Sequence, residues 1–403
     1  MPSQSEGSAK SPGFFLGKSG CQDARFLRAA CGVRKMRIAV DAYELGPRGA
    51  GVGRVARNLL PLLASLLEED RFFIMTREIA LPFSRSNCQQ IVLPSGNRGY
   101  FRWQNGPFWR TCLRLDPQLI IAFNYTLPVI CPWPSLLFVH DISLVAHPEW
   151  FPRKTARWRG WLLKRSLHQA DQIIVPSFFT EREIVSRLKT RREKLKVVYY
   201  GLEERFQPVS EDYRRGFKQS RGLTDRRVIG FLGSIFRRRH IPLLVSAVES
   251  LRSEFPDISL YIIGQDRTYP PEPLASLLNR EWIRWDKSLP EVELPLFYAA
   301  CDIFAYLSEY EGFGFPPLEA LACGSIPVVF NRSSLGEILA DLAFLVDEIK
   351  PEAVYRALRE ALTNQERRQE IRKRFESRRH QFSWPRAASA IAGLISKFKR
   401  KMT

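Results

Sequence analysis

The segment Glu311-Gly312-Phe313-Gly314-Phe315-Pro316-Pro317-Leu318-Glu319 sets two carboxylates eight residues apart, around a glycine-containing turn and a proline pair suited to opening a helix. Just before it, residues 303–307 form a short, wholly apolar run that reads as a buried strand. Chain passing from a strand through such a turn presents backbone N–H groups at the helix start, which is a site for anionic, phosphate-bearing ligands. The flanking acids are then placed to accept hydrogen bonds from sugar hydroxyls. Glu319 also has a plainer reading: as the third residue of a helix beginning at Pro317, it complements the helix dipole. Glu311, inside the loop, has fewer structural reasons to be there.

Outward from this segment, short apolar runs alternate with helical patterns along the chain, which implies repeated β-α units and parallel sheets. In the first half, strands are predicted at 37–41, 72–75, 119–122, 136–139 and 172–175, with helical patterns at 53–67 and 149–168. Ser177 is placed to cap a further helix. The second half restarts with strands at 228–232, 259–263, 303–307 and 327–330. There, Ser288-Leu289-Pro290-Glu291 has the pattern of a capping box opening a helix through Tyr298. Between the halves, residues 201–223 are polar and charged, contain Pro208 and lack periodicity, so they are expected to be an interdomain linker. The fold class is α/β: two Rossmann-like domains facing a cleft lined by the C-terminal ends of both sheets.

Three further motifs lie at predicted strand ends. Gly49-Ala50-Gly51-Val52-Gly53 follows the first strand, and its glycines let backbone amides approach a phosphate or sugar. Gly51, Gly53 and Ala56 also satisfy a dinucleotide fingerprint, but seven residues separate the strand from Gly49 where a dinucleotide site needs a tight turn. A plain strand-to-helix turn remains open as well. The second motif, Gly233-Ser234-Ile235-Phe236-Arg237-Arg238-Arg239-His240, brings fixed cations to a strand end, where they can neutralise a diphosphate leaving group without a metal. Its alternative is a solvated basic turn. The third, His140-Asp141, follows the 136–139 strand, so the imidazole is expected to face the cleft and Asp141 to cap the next loop.

Together these residues resemble glycosyltransferase family 4, retaining enzymes of GT-B architecture, from about Met36 to the C-terminus. The carriers of the resemblance are Glu311 to Glu319, Arg238-Arg239 in place of an Arg-Lys pair, the Ser333-Ser334-Leu335-Gly336-Glu337 segment and Phe382-Ser383-Trp384. Two positions depart from the family pattern, with His240 standing for an asparagine and Gly336 for a proline. The resemblance implies that Glu311 contacts the transferred sugar, that His140 touches a hydroxyl of it, and that Glu319 binds the ribose. It implies phosphate neutralisation by Arg238 and Arg239, and donor contacts from Gly51, Val52, Gly53, Gly233, Ser234, Gly312, Phe313, Gly314 and Phe315. It also implies a final helix crossing back to the first domain, giving expected domains at 36–205 and 206–378 with the crossing helix at 379–403. The expected activity is transfer of a hexose, mannose from GDP-mannose by the overall pattern, to a lipid-linked or oligosaccharide acceptor. No D-x-D acidic motif occurs in a suitable loop, so neither a metal nor a cofactor is expected beyond the nucleotide-sugar substrate. A nucleotide-sugar epimerase on the same scaffold, or a non-catalytic basic protein, are the alternatives.

Composition limits the partners. Lys and Arg number 61 against 42 Asp and Glu, a formal charge of +19, which favours polyanionic surroundings. No arginine-rich tract, zinc-finger spacing or RNA-binding aromatic signature accompanies that charge, so nucleic acid is not expected. Two basic-aromatic zones, 98–110 and 150–165, and weakly the Lys397–Lys401 tail, suit an anionic membrane surface; the alternative is core helices with solvated basic faces. The seven cysteines include no C-x-x-C pair, which argues against a disulfide framework and for a reducing compartment, hence a cytoplasmic protein, peripheral on the inner face of a membrane. The uncharged stretch 117–139 carries Asn124 and several prolines and reads as two buried strands rather than a membrane span. Residues 1–35, rich in Ser, Gly and basic residues, are expected to be a disordered extension, with Met36 the translation start. Intact peptides from that segment in the native protein would rule the latter out.

Overall fold

The computed structural model describes residues 35–46, 51–79, 83–96 and 99–402. Strands β1 (Arg37–Asp41), β2 (Arg71–Thr76), β3 (Cys88–Val92), β4 (Leu119–Ala122), β5 (Ser135–Phe138), β6 (Gln172–Val175) and β7 (Leu195–Val197) form one parallel sheet in the order β3-β2-β1-β4-β5-β6-β7. Strands β8 (Arg227–Leu232), β9 (Ile258–Ile263), β10 (Ile283–Asp286), β11 (Ile303–Tyr306), β12 (Ile326–Phe330) and β13 (Phe344–Val346) form a second, β10-β9-β8-β11-β12-β13. Central strands such as β9 (ISLYII) are buried at every residue, as a parallel sheet covered by helices on both faces requires. The strand order reverses between β1 and β4 and again between β8 and β11, and open α/β sheets bind ligands outside the carboxyl ends at such points.

Several local readings need correction. The expected linker at 201–223 contains a helix, Glu211–Ser220, with Glu211 and Asp212 in its first turn. Only Tyr213 and Phe217 are apolar side chains in this otherwise charged and polar helix, and only Phe217 is buried, too few to show as an apolar stripe. The continuous helix expected at 149–168 is split into a 3-10 turn, Pro148–Trp150, and a helix, Arg153–Gln169. Pro152 forces Phe151 into extended geometry between them. No capping box forms at Ser288–Glu291. A 3-10 turn, Glu291–Glu293, precedes the helix Leu294–Ala300, and the Glu291 carboxylate pairs instead with Arg57 and Arg205 at 3.5 and 3.4 Å. Ser177 does cap its helix, Phe178–Leu188, accepting from the Thr180 N–H at 3.2 Å.

The two halves are held against each other through side chains. The last helix, Trp384–Met402, lies along the helix Gly51–Leu66, and Lys399 Nζ is 2.6 Å from the buried Asp70 of the first half. An aromatic seam of Tyr199, Tyr200, Phe313, Phe315, Phe382 and Trp384 joins the halves, with Tyr200 stacked at 5.7 Å on Phe315. No helix among the described residues is long and apolar enough to cross a membrane.

Candidate active site

At the second sheet's reversal point, β8 ends in Gly233 and Ser234, and β11 runs out through Ser308 to Glu311. Glu311 Oε1 accepts from Ser308 Oγ at 2.8 Å, from the Tyr306 hydroxyl at 3.0 Å, and from Arg239 Nη2 and Nε at 3.0 and 3.2 Å. The donors are all side chains. All four converge on one oxygen, and no hydrogen bond from the described residues reaches Oε2. Burial pushes the Glu311 carboxyl up, but Arg239, Arg238 and Ser308 outweigh it and hold the group below the usual carboxylate range.

The two arginines differ. Arg239 is buried, its Nη1 donating to the Ser234 carbonyl at 2.7 Å while its other nitrogens hold Glu311. Arg238 has no carboxylate partner among the described residues. Its guanidinium lies 4.5 Å from the ring centre of Phe236 and 5.6 Å from that of Trp150, with Nε buried and unpaired. His240 has φ +48°, a left-handed conformation that asparagine tolerates better than most residues, and its Nε2 sits 2.5 Å from Glu309. That contact is the leading cause holding the Glu309 carboxyl low.

Across the cleft, His140 follows β5. Its Nε2 donates to the Phe123 carbonyl at 2.8 Å, so Nδ1 is the acceptor for the Tyr200 hydroxyl at 2.7 Å. Burial lowers its pKa, which disfavours the charged ring. Both ring nitrogens therefore have protein partners in this arrangement, and a sugar hydroxyl of the kind the resemblance implies would have to displace one of them. Asp141 caps the following turn, accepting from the Ser143 N–H at 2.8 Å.

Gly312 touches this strand end directly: a Cβ there would collide with the His140 carbonyl. Its own carbonyl accepts from Ser177 Oγ at 2.7 Å. Nearby, Glu337 crosses the cleft to accept from the Phe178 and Phe179 N–H groups at 2.8 and 2.7 Å, and from the Tyr199 hydroxyl at 2.9 Å. A carboxylate thus fills the N-terminus of the Phe178–Leu188 helix.

The helix after Glu311 spans Phe315–Ala322, so Glu319 is its fifth residue and not its third. Gly314, at φ +96°, forms its N-cap. Pro316 and Pro317 contribute no N–H, and the helix start offers fewer donors than the sequence reading supposed. Phe313, buried, is packed into the aromatic seam at 5.0 Å from Phe315 and 5.3 Å from Tyr200. Glu319 is only 1% exposed, with Oε2 accepting from Tyr298 at 2.7 Å and Oε1 paired with Arg54 of the first half. Gly51, Val52 and Gly53 form the first turn of the Gly51–Leu66 helix rather than a loop, while Gly49 and Ala50 lie outside the described residues. Residues 1–34 and Arg98 also lie outside them. Sequence reasoning missed Tyr306, Ser308, Tyr200 and Arg54. Of these only Arg54, directly after the glycines, stood in a motif already singled out. Among the described residues no group of three or more His, Cys, Asp or Glu is arranged to hold a metal ion.

Two parallel α/β sheets meeting at a cleft with these residues define the GT-B class of glycosyltransferases. The family model described as "Glycosyltransferase Family 4" matches residues 49–205, and that described as "Glycosyl transferases group 1" matches 213–378. The chain belongs to glycosyltransferase family 4. It is 28% identical over 249 residues to an O-antigen chain mannosyltransferase B of Escherichia coli, covering 61% of this chain and 65% of that one. It is 34% identical over 139 residues to a GDP-mannose-dependent alpha-(1-6)-phosphatidylinositol monomannoside mannosyltransferase of Mycolicibacterium smegmatis, covering 32% of this chain and 36% of that one. Each match spans less than two thirds of the relative's own length. The fold superposes on a crystal structure of HepE from Anabaena in complex with UDP-glucose, with TM-score 0.70 and 17% identity over 90% of this chain and all of that one.

Proposed function

We propose that this protein transfers a hexose from a nucleoside diphosphate sugar to a lipid-linked or oligosaccharide acceptor, with retention of anomeric configuration, and that the donor is GDP-mannose. The observation that carries the reading is Glu311: one oxygen bound four times, the other without a hydrogen bond among the described residues, the charge maintained by two arginines. A carboxylate so fixed stabilises positive charge developing at an anomeric carbon. Arg238, cationic and without a carboxylate partner among the described residues, is suited to the leaving diphosphate. Arg239 does less of that work, because it is committed to Glu311. In this reading the departing phosphate oxygen takes the acceptor's proton on the same face, and Glu319 accepts from the ribose hydroxyls. The mannosyl donor is supported by the names of the relatives matched above.

A lipid-linked acceptor is supported by the surface beside the cleft. The helix Arg153–Gln169 carries six Lys or Arg and no Asp or Glu. On it Trp158 and Trp161, 47% and 48% exposed, stack at 5.3 Å. It starts three residues after Trp150, the ring beside Arg238. Basic and aromatic side chains together suit an anionic headgroup layer, which supports a position on the inner, cytoplasmic face of a membrane.

The test is thermal-shift screening of the purified protein against GDP, UDP and their sugar conjugates. Stabilisation selective for GDP supports the mannosyl donor. Selectivity for UDP retains sugar transfer and removes mannose. A protein unmoved by every nucleotide overturns the reading.

A further inference from the structure

A buried ion pair, whose cation has no role in the transfer step proposed above, joins the two halves beside Phe315. Arg54, in the first turn of the Gly51–Leu66 helix, reaches from the first half to the second. Its Nη1 pairs with Glu319 Oε1 and its Nε donates to Glu203 Oε1, while the guanidinium carbon lies 4.9 Å from the ring centre of Phe315 and 5.1 Å from that of Phe206. Burial pulls the Arg54 pKa down, yet Glu319 and Glu203 more than offset it, so the charge persists. The arrangement is incompletely satisfied: Arg54 Nη2 is buried without a hydrogen-bond partner, and Glu319 Oε1 has the ionic contact but no well-formed hydrogen bond. A buried pair kept only for stability does poorly with such loose ends, since desolvation of both charges opposes their attraction. Meanwhile Glu319 has 2% of its side chain exposed, so nothing outside the protein can reach the carboxylate in this arrangement.

We propose that Arg54 is a positioning residue for the donor, holding Glu319 in the nucleotide-free protein and giving it up to the ribose diol when a nucleoside diphosphate binds. This rests on the reading of Glu319 as the ribose acceptor. Two hydroxyls donating to one carboxylate replace one guanidinium, and the freed Arg54 keeps its hold on Glu203. Donor binding and the Arg54–Glu319 pair then exclude one another. Apparent nucleotide affinity is lowered by the fraction of time the pair is closed.

Isothermal titration calorimetry with GDP and with UDP tests this on the full chain, comparing wild type, Arg54→Met, Arg54→Lys and Glu319→Gln. Arg54→Met is expected to bind the preferred nucleotide roughly tenfold tighter than wild type, because the competing cation is gone. Arg54→Lys, a single ammonium in place of a fork, is expected to fall between them, and Glu319→Gln to bind more weakly than all three. If Arg54 served stability alone, Arg54→Met would lose thermal stability and bind no tighter. That result overturns the proposal, and if Arg54→Met does not fold, Arg54→Lys binding no tighter than wild type overturns it equally. A wild type that binds neither GDP nor UDP defeats the ribose reading itself, which is a separate failure.

Discussion

The two sheets reverse their strand order in the same way, yet the acids at their reversal points are treated oppositely. In the first sheet, Asp41 ends β1 fully buried, accepting from the Tyr100 hydroxyl and Gln104 Nε2, each at 2.8 Å, and from the Tyr43 N–H at 3.3 Å. Burial dominates those hydrogen bonds and raises its carboxyl from 3.8 to about 6. In the second sheet, Glu311 is held low by two arginines. One acid is walled in with neutral donors, and the other is kept charged beside a cation with no carboxylate partner among the described residues. Topology therefore prepares two equivalent sites, and the choice of neighbouring side chains decides which becomes electrostatically active.

The comparison breaks most severely at Arg239. Arg239→Met strands the Glu311 charge, and is expected to cost about 3–5 kcal/mol in urea unfolding as well as all measurable sugar transfer. An Arg238→Ala, Arg239→Ala double variant therefore mixes loss of transfer with loss of stability. Arg238→Met separates them, with transfer down about 100-fold or more and stability changed by less than about 1 kcal/mol. Equal destabilisation by the two single variants would erase the distinction drawn between them. Glu311→Gln keeps the volume but loses the charge, and initial-rate assays are expected to find kcat lower by roughly 1,000-fold with donor affinity nearly unchanged.

On the first sheet the handle is pH. The Asp41 carboxyl titrates higher in the folded than in the unfolded chain, so the folded state binds the extra proton. Its contribution is present in full below about pH 4 and is lost as pH rises through about 6. Asp41→Asn removes this dependence. The difference between variant and wild-type unfolding free energies is expected to change by about 3 kcal/mol across that window, at about 1.4 kcal/mol per unit. A difference constant with pH would mean that Asp41 is not held protonated by burial. The smallest effect is expected at the join between the sheets. Glu337→Ala leaves the Phe178 and Phe179 N–H groups without their cap, costing about 1 kcal/mol by thermal denaturation.

How much of this was legible in the sequence follows the same contrast between interior and edge. The strands predicted from apolar runs, β1, β2, β4, β5, β6, β8, β9, β11 and β12, are the interior strands of the two sheets. Those missed, β3, β7, β10 and β13, are all four edges. An edge strand is covered less completely, so CQQIV or IRWD need not be apolar throughout, and periodicity has nothing to hold. The site divides similarly. Glu311, Arg238, Arg239 and Gly312 could be picked out because they lie in one short motif or another. Tyr200 over His140 and Arg54 on Glu319 are contacts between distant parts of the chain, and local spacing carries no trace of them. His140 was found by position, but its occupied ring nitrogens could only come from the folded neighbours.

Gly312 carries one last consequence. Where any other residue has a methyl or more, it has a hydrogen, and that hydrogen faces the His140 carbonyl. The minimum gap between the two halves is thus set by the smallest side chain available, at a contact beside Glu311. Alanine would act as a doorstop, holding the halves apart by about the thickness of a methyl group while leaving each sheet intact. The molecule's jaw closes as far as it does because one tooth is missing.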